Sequence, residues 1–69
     1  MKINQFESGQ MVHYTPRFGD TENGVVKSKH PNLDAYFVVY KCDGNWDNYS
    51  NYTAALTDTE NLKDGWENL

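Results

Sequence analysis

The chain has 69 residues, six lysines and arginines against ten aspartates and glutamates, a net charge of −4, and one cysteine. That length permits a single domain whose core lies near the lower size limit; the lone Cys42 excludes an internal disulfide, and two histidines with one cysteine fall short of the common four-ligand zinc sets. The acidity argues against nonspecific affinity for nucleic acid, which is driven by phosphate neutralisation.

The opening stretch MKINQFESGQ has no apolar run of the signal-peptide kind, and no segment is long enough to span a bilayer. A soluble, cytoplasmic, non-membrane protein is expected, with NYS and NYT as chance matches to the glycosylation sequon. The charge is uneven. Residues 1–42 hold five lysines and arginines against four acids, net +1, whereas residues 43–69 hold one lysine against six acids, net −5.

Apolar runs separated by turn-rich stretches predict a small all-β domain. In QMVHYT, Val12 and Tyr14 alternate with His13 and Thr15, the period of a half-buried strand with His13 outward. Pro16 ends it, and RFGDTENG follows as a loop. GVVKSKH is the second strand, with Val26 and Ser28 inward and Val25, Lys27 and Lys29 on the other face. Pro31 turns the chain within HPNLD. AYFVVYKC is the strongest strand signal, with Tyr36, Val38, Tyr40 and Cys42 inside and Phe37, Val39 and Lys41 outside; its two apolar faces predict a central strand.

CDGNWDNYSNYT reads as a long loop, and YTAALT as a strand with Tyr52, Ala54 and Leu56 on one face. TDTE then matches a capping box with Thr57 as the cap and Glu60 reaching back, which predicts one short helical piece over residues 58–64, anchored by Leu62 and stopped at Gly65. Trp66 is expected to fold back as a lid. The outline is a strongly bent antiparallel β-barrel of four to five strands with one short C-terminal helical turn, in which Val12, Val26, Val38 and Leu56 meet. Residues 1–8 form an N-terminal segment, 9–62 the barrel and 63–69 the lid or tail.

Gly9, Val12 and Tyr14, then Glu22, Gly24 and Val26, then FVVY and a strand leading into NL, together resemble the Src-homology-3-like barrels, most closely the Tudor and KOW domains. In those families the second strand opens with a glycine, the third carries an alternating aromatic–valine core, and a one-turn helix with a leucine closes the barrel. A narrower resemblance, carried by ENGVVKS, FVVYKC, NYSNYTAALT and NLKDGW, is to short proteins of bacteriophages and prophage-bearing bacteria, a group without an assigned chemistry; it implies a phage or prophage origin, and so the cytoplasm of a bacterial host, where phage proteins of this size often act by occupying a host factor. The Tudor resemblance implies an aromatic cage for methylated lysine or arginine, with Tyr14, Phe37, Trp46, Tyr49 and Tyr52 as candidates.

The residues offer three noncatalytic functions. A protein-binding surface would use Phe37, Trp46 and Tyr49 beside Asp43 and Asp47; the plainer reading is that Tyr40 and Tyr52 are core and that Trp46 and Tyr49 fasten the long loop. The wider acidic set, Asp58, Glu60, Asp64 and Glu67 included, would suit a basic protein partner. A nucleic-acid face would use Arg17, Lys27, Lys29 and His30 with Phe18 or Phe37 as a stacking platform, against the commoner reading of a solvated charged face. A homodimer would pack through Phe37 and Val39. No cofactor, metal or enzymatic activity is expected: His13 and His30 lack partners in any catalytic pattern, and the aspartate beside Cys42 disfavours a thiolate.

Overall fold

The computed structural model describes residues 6–40 and 44–68, so the expectations for Lys41, Cys42 and Asp43 lie outside the described residues. Strands β1 (Met11–Tyr14), β2 (Glu22–Lys29), β3 (Ala35–Val39), β4 (Ala55–Asp58) and β5 (Leu62–Asp64) form one antiparallel sheet in the order β4-β3-β2-β1-β5. Two short 3-10 helices, Trp46–Asn51 and Thr59–Asn61, precede β4 and β5. Among the described residues β4 and β5 have no strand on their outer sides, so the sheet is open at both.

Period-two alternation decides the principal core. Val12, Val26, Tyr36 and Val38 are fully buried and cluster with Phe6 and Leu62, while Tyr14 and Tyr40 pack against the cluster. Each fully buried valine or leucine of this kind contributes about 1.5–3 kcal/mol. Phe6, which lies before the stretch read as the barrel, meets Tyr36 edge-on at 5.3 Å, and its amide donates to the Tyr36 hydroxyl at 3.3 Å. Gly24 permits the close approach of β2 and β3. A Cβ there would lie 2.7 Å from Val38 Cγ1, 2.8 Å from the Val39 carbonyl and 2.9 Å from Tyr40 Cδ1.

Several expectations are corrected. Leu56 is not interior but 47% exposed. The residues from Tyr52 to Ala54 lie outside the ladder; β4 starts at Ala55, and its register sets Thr57 opposite Tyr36, so Thr57 takes the inward position and Leu62 supplies the missing leucine. Ser28 is exposed rather than inward, because the β2–β3 register slips between Val26 and Ser28. Lys27 is the extra residue of this β-bulge, and beyond it Lys29 pairs with Tyr36 and turns to the core side, its ammonium 5.6 Å from the Tyr36 ring centroid.

His13, expected outward, is buried because the chain after β5 covers it: Nδ1 lies 2.8 Å from the Gly65 carbonyl and Nε2 3.3 Å from the Glu67 carboxylate. The short helix over 58–64 is replaced by the three-residue 3-10 turn Thr59–Asn61 and by β5, and Asp58 rather than Thr57 occupies the cap position, without a side-chain cap bond. So short a helix has little stability of its own, whereas Leu62 gains a core site by pairing with Tyr14. Gly65 ends the element as expected, at φ +85.

The inner and outer leucines separate by mutation. Leu62→Ala should cost about 2–5 kcal/mol and Leu56→Ala within about 0.5 kcal/mol, read from urea melts of the two variants. Gly24→Ala should cost about 1–3 kcal/mol through overpacking, with the midpoint falling and the slope unchanged.

Candidate functional site

The sheet carries two apolar faces, and the second positions the site. Val25 and Val39 pair across β2–β3 on the side opposite Val26 and Val38, and both are buried. The long loop and the C-terminal segment provide the cover. The 3-10 helix Trp46–Asn51 packs against β2, and Trp46 meets Trp66 edge-on at 5.1 Å. Trp66 Nε1 donates to the Gly24 carbonyl at 2.8 Å, and Asn23 holds Glu67 through its amide and its carbonyl oxygen, each at 2.9 Å.

Tyr49 anchors the helix from the other side. Its hydroxyl lies 3.0 Å from Ser8 Oγ and closely against Gly9, where a Cβ would approach it to 3.3 Å. Gly9 has φ +88, so a side chain there would be strained as well as crowded. The result is a shallow cleft of about 330 Å³ lined by Met11, Val25, Trp46, Tyr49 and Trp66, with Asp47 at its margin. Met11 remains 52% exposed and Trp66 41% exposed, so the rings are fixed without being enclosed. Trp66, expected as a lid over an open barrel end, instead covers the Met11–Val25 face of the sheet.

Of the candidate protein-binding residues, the fold therefore unites Trp46, Tyr49 and Asp47. Phe37 lies elsewhere, half-buried between Ser28 and Leu56 in the ladder and 5.8 Å from the His30 ring. Asp43 is outside the described residues. The other cage candidates also go separate ways: Tyr14 packs on Tyr40 at 5.9 Å, and Tyr52, expected in the core, is half-buried and lines a recess with Val38 and Tyr40. Of the acids, Asp58 and Glu60 share a depression with Asp34, Asp64 accepts from Gln10 Nε2 at 2.8 Å, and Glu67 faces His13. Sequence reasoning missed Met11 and Trp66 as cleft residues; the outward phase of Met11 in β1 was the available signal for one of them.

Of the basic candidates, Lys27, Lys29 and His30 bond to the backbone. Lys27 Nζ donates to the Tyr52 carbonyl at 3.1 Å, and Lys29 Nζ to the carbonyls of His30 and Leu33 at 3.1 and 2.6 Å. His30 Nδ1 accepts the amides of Asn32 and Leu33, closing the β2–β3 turn. Arg17 and the 88% exposed Phe18 sit on the β1–β2 loop. Val39, offered for a dimer, is fully buried.

A second recess, about 340 Å³, lies beside β4, with Tyr14 and Tyr40 lining it together with Glu22, Asp58 and Asn61. The Tyr40 hydroxyl lies 2.7 Å from Thr57 Oγ1. Burial pushes the Tyr40 phenol from 10.0 up to about 12; its bond to Thr57 works the other way, and the nearby Tyr14 and Glu22 charges add to the rise.

Among the described residues no group of three or more histidines, cysteines or acids is placed to hold a metal ion, and no helix is long and apolar enough to cross a membrane. Comparison with protein-family models, with curated proteins and with solved structures found no match.

The Tyr40 shift has a testable sign. The unfolded chain loses this proton near pH 10.0, while the folded chain keeps it to about 12. Stability is therefore complete below the lower value and falls as pH rises through the interval. Thermal melts across that range should show the decline, and Tyr40→Phe should flatten it relative to the parent protein.

Proposed function

We propose that this chain is a noncatalytic binding module of the Src-homology-3-like kind, whose partner is another protein. The reading of the fold is supported by Gly24 near the start of β2, the Tyr36–Val38 alternation in β3, and a one-turn helix followed by the buried Leu62. The bulge at Lys27 adds the local bend that such a small barrel requires. The resemblance to short phage and prophage proteins makes a host factor, met in the bacterial cytoplasm, the kind of partner intended.

One observation carries the binding function: Trp46, Tyr49, Trp66 and Met11 converge on a single open cleft with Asp47 at its margin. Tryptophan and tyrosine supply the largest binding increments at protein interfaces when they are rigid and desolvated by the partner. Here their rotamers are fixed by the bond from Trp66 to Gly24 and the contact of Tyr49 with Ser8, which lowers the ordering cost of association. The carboxylate of Asp47 and the net charge of −4 favour a partner segment that sets an apolar side chain beside a lysine or arginine. The nucleic-acid reading is less well supported, because both Lys27 and Lys29 already hold backbone carbonyls.

Alanine at Trp46 or Tyr49 would disturb the cover of the sheet as well as the cleft, so the test uses Met11→Ser and Asp47→Lys, both at exposed positions. Against a partner isolated by affinity purification and then purified, each should weaken binding at least tenfold without altering the circular dichroism spectrum. Leu33→Ser, exposed and remote from the cleft, should leave affinity unchanged. Equal binding by all three variants would remove the cleft from the interface.

A further inference from the structure

The two open edges of the sheet differ in how they are protected. β5 has three residues, two of them the exposed charges Lys63 and Asp64, the usual protection of an edge strand. β4, Ala55–Asp58, has neither proline nor lysine, its register with β3 is unbroken, and both Ala55 and Leu56 are exposed. The polarity of its backbone follows from the ladder. The Thr59 amide donates to the Asp34 carbonyl at 3.0 Å, next to the Ala35–Asp58 pair. That makes Ala35–Asp58 a non-hydrogen-bonded pair, and by alternation Thr57 and Ala55 bond to β3. The amide and carbonyl of Leu56, and the amide of Asp58, therefore point away from the sheet, while the Asp58 carbonyl, at the cap position of the following 3-10 turn, accepts the first bond of that turn.

This outward row borders the recess lined by Tyr14, Tyr40, Glu22, Asp58 and Asn61. Two carboxylates face it, and its lining residues include no lysine, arginine or histidine among the described residues. The negative field there also contributes to holding the Tyr40 phenol protonated. We propose that the open edge of β4 accepts an extended segment of a partner protein by strand addition, with a lysine or arginine of that segment lying between Glu22 and Asp58. Backbone pairing supplies affinity in this mode, and alternate side chains supply specificity. A second copy of this chain suits the site poorly, since its own β4 offers no cation and would bring a further Asp58 carboxylate to the same edge.

The surface is distinct from the aromatic cleft, and the proposal does not depend on that cleft binding anything. A random dodecapeptide library selected on the immobilised full chain supplies the probe, and amide shifts of the labelled protein locate it. The selected peptides should be rich in lysine or arginine within alternating, extended sequences, and should move the amides of Leu56, Asp58 and Glu22. Leu56→Pro removes one outward amide while sparing the bonds to β3, a substitution that edge strands tolerate, and should abolish binding. Glu22→Gln with Asp58→Asn should weaken it at least tenfold; if Leu56→Pro fails to fold, this double variant decides.

Failure of the selection, peptides without a cation, shifts confined to the Trp46 and Trp66 region, or full binding by the double variant or by a folded Leu56→Pro would each overturn the proposal.

Discussion

The structure depends on burying both faces of the β2–β3 pair. Val26 and Val38 look into the main core, while Val25 and Val39 look the other way, and all four are nearly or completely out of water. A single small sheet can cover only one face with its own strands. The second cover must come from elements that are not strands, and the 3-10 helix Trp46–Asn51 and the segment around Trp66 fill that role. Aromatic side chains suit this task because each removes a large area from water while losing few rotamers. The stretch that otherwise reads as loop is therefore a structural layer, and its rings form a surface because the layer is only one side chain thick.

Long-range polar bonds fix that layer in place. Trp66 reaches the Gly24 carbonyl, Glu67 is held by Asn23, and the Gly65 carbonyl lies against His13, so the last residues are fastened to the first two strands. Tyr49 does the same for the turn around Ser8 and Gly9. Each bond joins segments some forty residues apart or more, and the two made by His13 and Trp66 satisfy polar groups that the covering layer takes partly out of water. The cleft inherits its rigidity from these bonds.

Much of the core was legible because period-two alternation is a local signal. Val12, Val26, Tyr36 and Val38 follow from it directly, and Leu62 was placed inward for a different reason, as a helical anchor, and is inward as a strand residue. What was not legible depends on single-residue events or on distant partners. One extra residue at Lys27 reverses the faces of Ser28 and Lys29, and nothing in VVKSK marks it. The phase of β4 was lost because the preceding 3-10 helix ends at Asn51, which sets the strand start at Ala55 and exchanges Leu56 for Thr57. His13 looked outward because its cover comes from residues 65–67. In the candidate site Trp46, Tyr49 and Asp47, close along the chain, also line one cleft, whereas Phe37, drawn in as an aromatic expected on the outer face of β3, lies in another part of the sheet.

The edge-on meeting of Trp46 and Trp66 has a consequence for how the molecule can be observed. These are the two tryptophans of the chain, and their ring centres are 5.1 Å apart. Indoles at that separation couple their strongest transitions, so a circular-dichroism couplet added to the far-ultraviolet backbone signal reports one contact between the middle of the chain and the segment after β5. A spectrum that ordinarily reports backbone alone thus carries a second gauge, of whether the covering layer is in place.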